Sequence, residues 1–408
     1  MRKVLLFTIL SSFLAFGANA QGATGCLFQN GNYVTQNGNL CPNAVVSAVP
    51  FLGITPDARS GAMGDVAIAL SPDANAMHAN ASKLAFAEQD FSISATYTPW
   101  LQALQLQDVY LAYLSGYKKL SDLEAIGLSL RFFSLGSISF TDQNGQPLGT
   151  GKPNEFELKG SYARKLSDNF SAAIGAKLIY SNLAAGQRVN GTGEEIEAGI
   201  GGAADISLTY EKESDGGVFR AGMAITNIGS KITYTNSVRR DFLPANLGIG
   251  AAYEFELDSY NKITIAADIN KALVPTPCLE NPDEPGSECD TDGDGFFDYK
   301  DLSPIRGVFS SFGDAPGGAG EEFREIFYSV GAEYWYDEQF SIRTGYYFED
   351  QSKGARQYLT VGLGLRYNIF GLNFSYLVPT TNQRNPLDNT LRFSLLFNFG
   401  DAVGEEEL

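Results

Sequence analysis

From Asp90 onward, apolar and polar positions alternate with a period of two. Phe170, Ala172, Ile174, Ala176, Leu178 and Tyr180 form one face of a segment whose other face is Ser171, Ala173, Gly175 and Lys177. Leu247, Ile249, Ala251, Tyr253, Phe255 and Leu257 alternate in the same way with Gly248, Gly250, Ala252, Glu254 and Glu256. Ile326, Tyr328, Val330, Ala332, Tyr334 and Tyr336 stand opposite Ser329, Gly331, Glu333 and Asp337, and Leu391, Phe393, Leu395, Phe397 and Phe399 opposite Arg392, Ser394 and Asn398. This pattern predicts strands with one apolar and one wet face. Fourteen segments fit, near 90–98, 107–117, 123–135, 154–166, 169–181, 196–212, 217–228, 245–257, 261–271, 325–336, 339–350, 356–367, 370–379 and 389–399. Roughly ten residues is the length a tilted strand needs to cross a bilayer.

The connections sort by length. Those after even segments are short: Ser121-Asp122, Ser167-Asp168, Ser214 to Gly216, Asp258 to Tyr260, Asp337-Glu338 and Asn368 to Phe370. Those after odd segments are mostly long: 136–153, 182–195, 229–244, 272–324 and 380–388. Short periplasmic turns and long extracellular loops characterise outer-membrane barrels. The predicted fold is therefore an all-β, 14-stranded antiparallel outer-membrane barrel (89–400) with both barrel ends on the periplasmic side. An acidic tail, 401–408, follows as a solvated end.

The stretch before the first strand differs. Residues 44–88 are rich in Ala and Gly, broken by Pro50, Pro56 and Pro72. Pro56-Asp57 can open a short helix ending near Gly64, and Ser71-Pro72-Asp73 a second one towards Asn80. Fourteen strands enclose more space than inward side chains fill, so this segment is expected to plug the lumen. At the start, Arg2 and Lys3, the apolar run Val4 to Phe16 and Ala18-Asn19-Ala20 read as a cleaved signal peptide over 1–20. Later segments offer no run of ~18 apolar residues, so no membrane-crossing helix is expected.

Composition narrows the function. The formal charge is −18, and losing Arg2 and Lys3 with the signal takes it to −20. So acidic a chain, with no basic cluster, is not expected to bind nucleic acid. Aromatic residues make up 12%, with 20 Tyr and 28 Phe, and Gly numbers 44. Both suit a barrel facing outer-membrane lipid. A mean hydropathy of −0.11 is no objection, because alternation averages out along a strand. The four cysteines form two local pairs, Cys26/Cys41 (within 21–43) and Cys278/Cys289. In an oxidising compartment these read as two disulfides, with four free thiols as the alternative.

Two stretches of the N-terminal segment carry a resemblance: Gly53-Ile54-Thr55-Pro56-Asp57-Ala58-Arg59-Ser60-Gly61-Ala62-Met63-Gly64-Asp65, and Ser71-Pro72-Asp73-Ala74-Asn75-Ala76-Met77-His78-Ala79-Asn80-Ala81-Ser82. With the strands that follow, the chain from about Val45 resembles the FadL-like outer-membrane family and, more narrowly, its PorV-type barrels of the Bacteroidetes type IX secretion system. The resemblance singles out Arg59, Gly61, Met63, Gly64, His78 and Asn80 as plug-motif residues. It implies protein export: docking on the type IX translocon barrel (of the SprA/Sov kind), receipt of cargo C-terminal β-sandwich domains, and delivery to a surface sortase attachment complex. The wider family implies the alternative, transport of long-chain fatty acids or other hydrophobic small molecules. Fatty-acid transporters carry Asn-Pro-Ala near the plug, whereas here Asn80-Ala81-Ser82 lacks the proline, which leans towards export.

The longest loop holds a chemical motif. In Asp290-Thr291-Asp292-Gly293-Asp294-Gly295-Phe296-Phe297-Asp298-Tyr299-Lys300-Asp301, Asp290, Asp292 and Asp294 fall at positions 1, 3 and 5 of a calcium loop. Gly295 supplies the turn at 6, Phe296 a carbonyl at 7, and Asp298 and Asp301 fall at 9 and 12. Alternate carboxylates wrapped by a tight turn suit a hard, oxygen-seeking cation, so structural Ca2+ is expected. The other reading is a solvated acidic loop.

An enzyme is not expected. No G-x-S-x-G elbow is present, and the sole histidine, His78, lies in the predicted plug, where packing explains it better than catalysis at a lipid rim. Trp100 and Trp335, near strand ends, are expected in interfacial girdles or loop packing. Arg131, Arg164, Arg343 and Arg366 are expected to face inward and pair with acidic groups of the plug or wall.

Overall fold

The structure is a computed structural model, and it describes residues 26–29, 32–35, 40–101, 106, 108–141, 144–188, 194–235, 240–279, 289–291, 293, 296–381 and 389–400. The expected signal peptide and the acidic tail lie outside these residues. Fourteen strands form one closed antiparallel ring. They are β1 Phe91–Pro99, β2 Val109–Ser121, β3 Glu124–Leu135, β4 Asn154–Ser167, β5 Phe170–Asn182, β6 Gly199–Ser214 and β7 Gly217–Gly229. The second half is β8 Asn246–Glu256, β9 Asn261–Ala272, β10 Ile326–Tyr336, β11 Phe340–Phe348, β12 Gln357–Tyr367, β13 Phe370–Pro379 and β14 Leu391–Phe399. Each strand pairs with its sequence neighbour, and β14 closes on β1 from Phe393 opposite Tyr97 to Phe399 opposite Phe91. No helix of the described residues is long and apolar enough to cross a membrane, a point that does not bear on strands. Closure leaves no edge, so the backbone groups of every strand are paired within the ring, as lipid requires.

The alternation read from the sequence sets the two faces. Outward Ile174, Ile200, Ile206, Ile249 and Ile265 are half or more exposed. Their inward neighbours, such as Ser171, Ser207 and Thr264, are buried. A ring of exposed aliphatic side chains is a liability in water and the expected lipid contact in an outer membrane. Aromatic pairs rim both ends. Tyr97–Tyr110 (5.5 Å) and Phe156–Tyr180 (5.0 Å) lie at the long-loop end. Phe91–Phe399 (5.6 Å) and Phe370–Phe397 (5.3 Å) lie at the short-turn end.

These girdles are built from Tyr and Phe, and the two tryptophans are not in them. Trp100 is buried and packs edge-on against Phe133 at 5.0 Å. Trp335 shares the inward parity of Glu333 and stacks with the guanidinium groups of Arg343 (5.3 Å) and Arg366 (4.9 Å), a cation–π arrangement at the short-turn mouth of the barrel. Arg164 also departs from expectation. It sits one residue out of phase with the inward Glu155, Glu157 and Lys159 of β4, so its side chain is 54% exposed and meets Glu124 at 3.3 Å on the outer surface.

Residues 43–88 run through the ring from the long-loop end to the short-turn end. Asn43 N–H donates to Ser352 O (2.7 Å) and Ala48 N–H to Phe242 O (2.8 Å), both in outer loops. Phe51 stacks with Phe133 near the outer end of β3 (6.2 Å). Helix α1, Ala58–Ala62, then descends, capped by Asp57, whose carboxylate accepts from Ser60 N–H. Helix α2 is shorter than expected, Ala76–Ala79, because Asp73 turns back to accept from Asn75 N–H (2.8 Å) before the chain can coil. A 3-10 turn, Ala81–Phe86, leads down to β1.

The wall thins where this segment presses on it. A Cβ on Gly345 would lie 2.0 Å from Met63 C and 2.1 Å from Gly64 N, backbone atoms that cannot yield. Gly345→Ala is therefore expected to destabilise the barrel by ~1–3 kcal/mol. Gly160, which faces open space, should tolerate Ala within about 0.5 kcal/mol. Urea midpoints in detergent check both, and equal midpoints would contradict the close approach. The strap formed by residues 43–55 should also be reachable from outside. Val46→Cys (48% exposed) is expected to take an impermeant maleimide on intact cells, whereas Leu123→Cys in a short turn reacts only after permeabilisation. The opposite order would invert the barrel.

Candidate functional site: the filled lumen and the outer face

Two charged networks on the inner wall grip the segment. The lower one is centred on Glu333 of β10. Its carboxylate accepts two bonds from Arg59, Nε at 3.0 Å and Nη2 at 2.7 Å, and one from Arg343 Nε at 2.5 Å. Arg59 also donates to Ser71 O (3.1 Å), Ser71 Oγ (2.7 Å) and Asp73 (3.3 Å). Arg343 reaches Asn373 Oδ1 at 2.8 Å. Glu333 is 1% exposed, so this is a buried pair with its lone pairs occupied, the arrangement a charge needs away from water.

The upper network runs across β3, β4, β5 and β6. Arg131 meets Glu157 (3.5 Å), Lys177 meets Glu157 (3.7 Å) and Asp205 (3.0 Å), and Lys159 meets Asp205 (2.5 Å). From this wall the cations reach inward. Arg131 donates to Phe51 O and Leu52 O (3.0 Å each) and Ile54 O (3.2 Å), and its Nη2 lies 2.5 Å from His78 Nδ1. Lys159 donates to Met77 O at 2.5 Å. Sequence alternation placed Arg131 and Arg343 correctly, but it did not single out Glu157, Lys159, Lys177 and Asp205. Their signal was available: charges recurring on the otherwise small, polar inward parity of adjacent strands.

The other motif residues hold the segment by backbone and small-residue contacts. Gly61 lies under Arg392, whose Nη1 a Cβ would approach to 2.6 Å, and Met63 is fully buried. Gly64 takes a positive φ of 70° and donates to Thr360 Oγ1 at 2.8 Å. Asn80 accepts from Ser82 N–H (3.1 Å) and Ser82 Oγ (2.5 Å) and donates to Ile68 O (2.9 Å) and Thr209 Oγ1 (3.0 Å). It thus caps the 3-10 turn and ties it to β6. His78 is held by Arg131, whose Nη2 lies against its Nδ1, and among the described residues no serine hydroxyl bonds to it.

On the outer face, both disulfides are formed, Cys26–Cys41 and Cys278–Cys289. The 273–325 connection carries α3, Pro304–Ser310, and α4, Ala319–Arg324. It is clamped by Lys353, which meets Glu321 (2.5 Å) and Glu325 (2.9 Å), and by Lys271, which meets Glu322 (3.0 Å) and Glu325 (2.6 Å). Burial pushes the Glu321 carboxyl up, but the Lys353 ammonium and two further donors, Asn43 Nδ2 and Gly317 N–H, outweigh it and hold it below the usual range. Asp314, buried without such a cation, is pushed up to about 6.

Of the expected calcium ligands, Asp292 and Asp294 lie outside the described residues. Asp290 accepts from Gly293 N–H (2.8 Å), and Asp298 accepts from Thr291 N–H (3.1 Å) and Thr291 Oγ1 (2.5 Å). Asp298 N–H in turn donates to Cys289 O (2.9 Å), so the two ends of the motif are drawn into one turn. Phe296 is exposed, and Asp301 closes a 3-10 turn, Asp298–Asp301, near Lys231. Among the described residues no three His, Cys, Asp or Glu side chains converge as a metal site. The fit is that of a loop with positions 1 and 9 brought together.

Beneath the strap lies a cavity of about 430 Å³, bounded by the strap, by Asp65 to Ile68 of the luminal segment and by β8, β9 and β10.

A family model described as Type IX secretion system protein PorV matches residues 36–279. A search of curated proteins returned no match. Among solved structures, the P. putida toluene transporter TodX aligns with 84% of this chain and 98% of its own at 12% identity and a TM-score of 0.49. The Ralstonia pickettii toluene transporter TbuX aligns over 84% and 98% at 12% identity and 0.48. A Pseudomonas aeruginosa FadL homologue aligns over 88% and 100% at 11% identity and 0.42. These likenesses are too distant to say what this barrel handles. The family match is different in kind: it runs from the strap through the luminal segment and across nine of the fourteen strands, more than half the chain, and so this outer-membrane barrel belongs to the PorV family of type IX secretion system proteins.

Proposed function

We propose that the chain handles cargo at the outer face of the type IX machinery, accepting C-terminal signal domains at the translocon barrel and passing them to the surface attachment complex. The observation that carries this reading, beside the family, is the filled lumen. Arg59, Glu333 and Arg343 bridge the segment to the wall below, and Arg131 binds it above. A hydrophobic solute crossing the barrel would have to break these buried contacts, and removing one partner of a buried ion pair costs about 3–5 kcal/mol. Transport of fatty acids through such a lumen is the weaker reading.

The outer face supports partner binding. Ile305, Phe309, Phe312 and Phe323, on or beside α3 and α4, are each more than half exposed above the barrel. Apolar exposure on a loop that ion pairs hold in place is what a protein partner would bury. We also propose that Ca2+ orders the 290–301 turn, with Asp290, Asp292, Asp294, the Phe296 carbonyl, Asp298 and Asp301 as its ligands and a structural role only.

Deleting the gene in its host is expected to trap cargo bearing the C-terminal signal in the periplasm while growth on long-chain fatty acids stays normal. Lost growth with normal display would favour transport instead. Restoring the gene as Ile305→Asp/Phe309→Asp should leave surface display at least tenfold below wild type, with unchanged heat-modifiable mobility of the barrel. Full display by that variant would remove the apolar loop from the reading. Calcium should protect the 273–325 loop from protease, and Asp292→Ala/Asp294→Ala should abolish that protection. Equal cleavage with calcium and with chelator would end the calcium proposal.

A further inference from the structure

The outer wall is not uniform around the short-turn rim. On most strands the outward position there is an exposed apolar or aromatic side chain, as at Phe91, Phe255, Tyr336, Leu365 and Phe399. Among the described residues, outward cations at this rim fall on one arc only: Lys118 on β2, Arg164 on β4 and Lys212 on β6. Lys118 stands opposite the girdle residue Phe91, at the level where hydrocarbon gives way to headgroups. Within the strands of this arc, the carboxylate that shares the outward face is Glu124 of β3. Asp122 and Asp168 sit at the turn tips, further from the bilayer.

Glu124 belongs to a hydrogen-bonded chain. Its Oε1 accepts from Tyr162 O–H at 2.6 Å and meets Arg164 Nη1 at 3.3 Å. The guanidinium is thereby held at the wall, and 54% of the Arg164 side chain stays open to the outside. Lys118 flanks it across β3: Lys118 pairs with Ile126, Ile126 with Tyr162, and Glu124 with Arg164. The two cations are two strand spacings and one residue pair apart, on the order of 12 Å between backbones, which two long side chains can close around one phosphate. Lys212 lies further round and adds only to the field.

Towards the bilayer centre the same wall has a furrow. Outward Gly160, Ala176 and Ala204 pair in one row across β4, β5 and β6, and the space over Gly160 is open. Exposed Leu158 and Leu178 border the row on one side, and Tyr162 and Ile174 on the other. An alkyl chain can pack along such a furrow.

The geometry points to a site for an anionic phospholipid of the periplasmic leaflet on the β2–β6 wall, its phosphate between Lys118 and Arg164 and one acyl chain over Gly160 and Ala176. Each cation near an anionic headgroup is worth roughly fivefold in affinity, and the two together about 25-fold. A zwitterionic lipid brings its own ammonium, which the same cations repel, and free phosphate lacks the chain. The site lies outside the lumen and does not depend on how cargo is handled.

Native mass spectrometry of the full chain in detergent tests this, with dioleoylphosphatidylglycerol as the probe and dioleoylphosphatidylcholine as its zwitterionic counterpart. Saturable binding of the anionic lipid, at least tenfold tighter than that of the zwitterionic one, is expected. Lys118→Gln/Arg164→Gln should weaken the anionic lipid at least tenfold and leave the zwitterionic one unchanged. Glu124→Gln keeps an acceptor for Tyr162 and Arg164 but removes the opposing charge, and should tighten the anionic lipid several-fold. Inorganic phosphate should displace it no better than chloride at equal ionic strength. Heat-modifiable mobility reports whether each barrel has folded. Equal affinity for the two lipids, unchanged affinity in the folded double variant, no gain in Glu124→Gln, or specific displacement by phosphate would each overturn the inference.

Discussion

In lipid, an unpaired peptide group costs several kcal/mol, so a sheet survives there only if its two edges meet. β14 meeting β1 is therefore the contact on which everything else in this molecule depends. Fourteen strands close at a diameter that inward side chains do not fill, and the space left inside must be sealed, lined or flooded. Here residues 43–88 occupy it. Polar and small side chains on the inward parity then cease to be a wet face and become a buried interface.

Burial of that interface explains its chemistry. Arg131, Lys159 and Arg343 are among the largest fully buried side chains of the described residues, and each has a carboxylate within ion-pair distance. Such pairs gain little net stability over a well-packed apolar contact, but they penalise any displacement that leaves one member alone. They also dictate position. Arg131 takes three carbonyls of the strap, those of Phe51, Leu52 and Ile54, and Glu333 takes a bidentate guanidinium from α1. Packing by Leu and Val would have allowed the segment to slide. Where contact is closest, the wall uses glycine, as at Gly331 and Gly345 beneath Met63.

Passing the chain up the lumen also brings distant parts together at the outer end. Asn43 reaches Glu321 and Pro277 O, Lys353 reaches Glu321 and Glu325, and the disulfide-bonded turn before Asp290 lies in the same connection. The outer surface is thus one clamped assembly of the strap and two loops. An assembly of that kind can present an apolar patch without the patch collapsing onto the barrel, which is consistent with a protein that works by contact.

The sequence by itself determined the strands, their faces and the side of the membrane for each loop, because alternation and loop length are local and a one-residue slip would turn every apolar side chain inward. It also marked Arg131 and Arg343 as inward, and the motif from Arg59 to Asn80 as the filling segment. Nearness to a strand end offered girdle or loop packing for the two tryptophans; Trp100 packs against Phe133 at the outer end, whereas parity turns Trp335 inward and Arg164 outward, against expectation. Only the tertiary structure decided which carboxylate meets which cation, that Asp268 turns one oxygen to the segment and leaves the other unused, and that the strap caps a cavity. Those facts depend on the stagger of fourteen strands and on the path of a segment through their centre. They join residues up to 336 positions apart, as between Ala58 and Ser394, and no local pattern carries a constraint of that range.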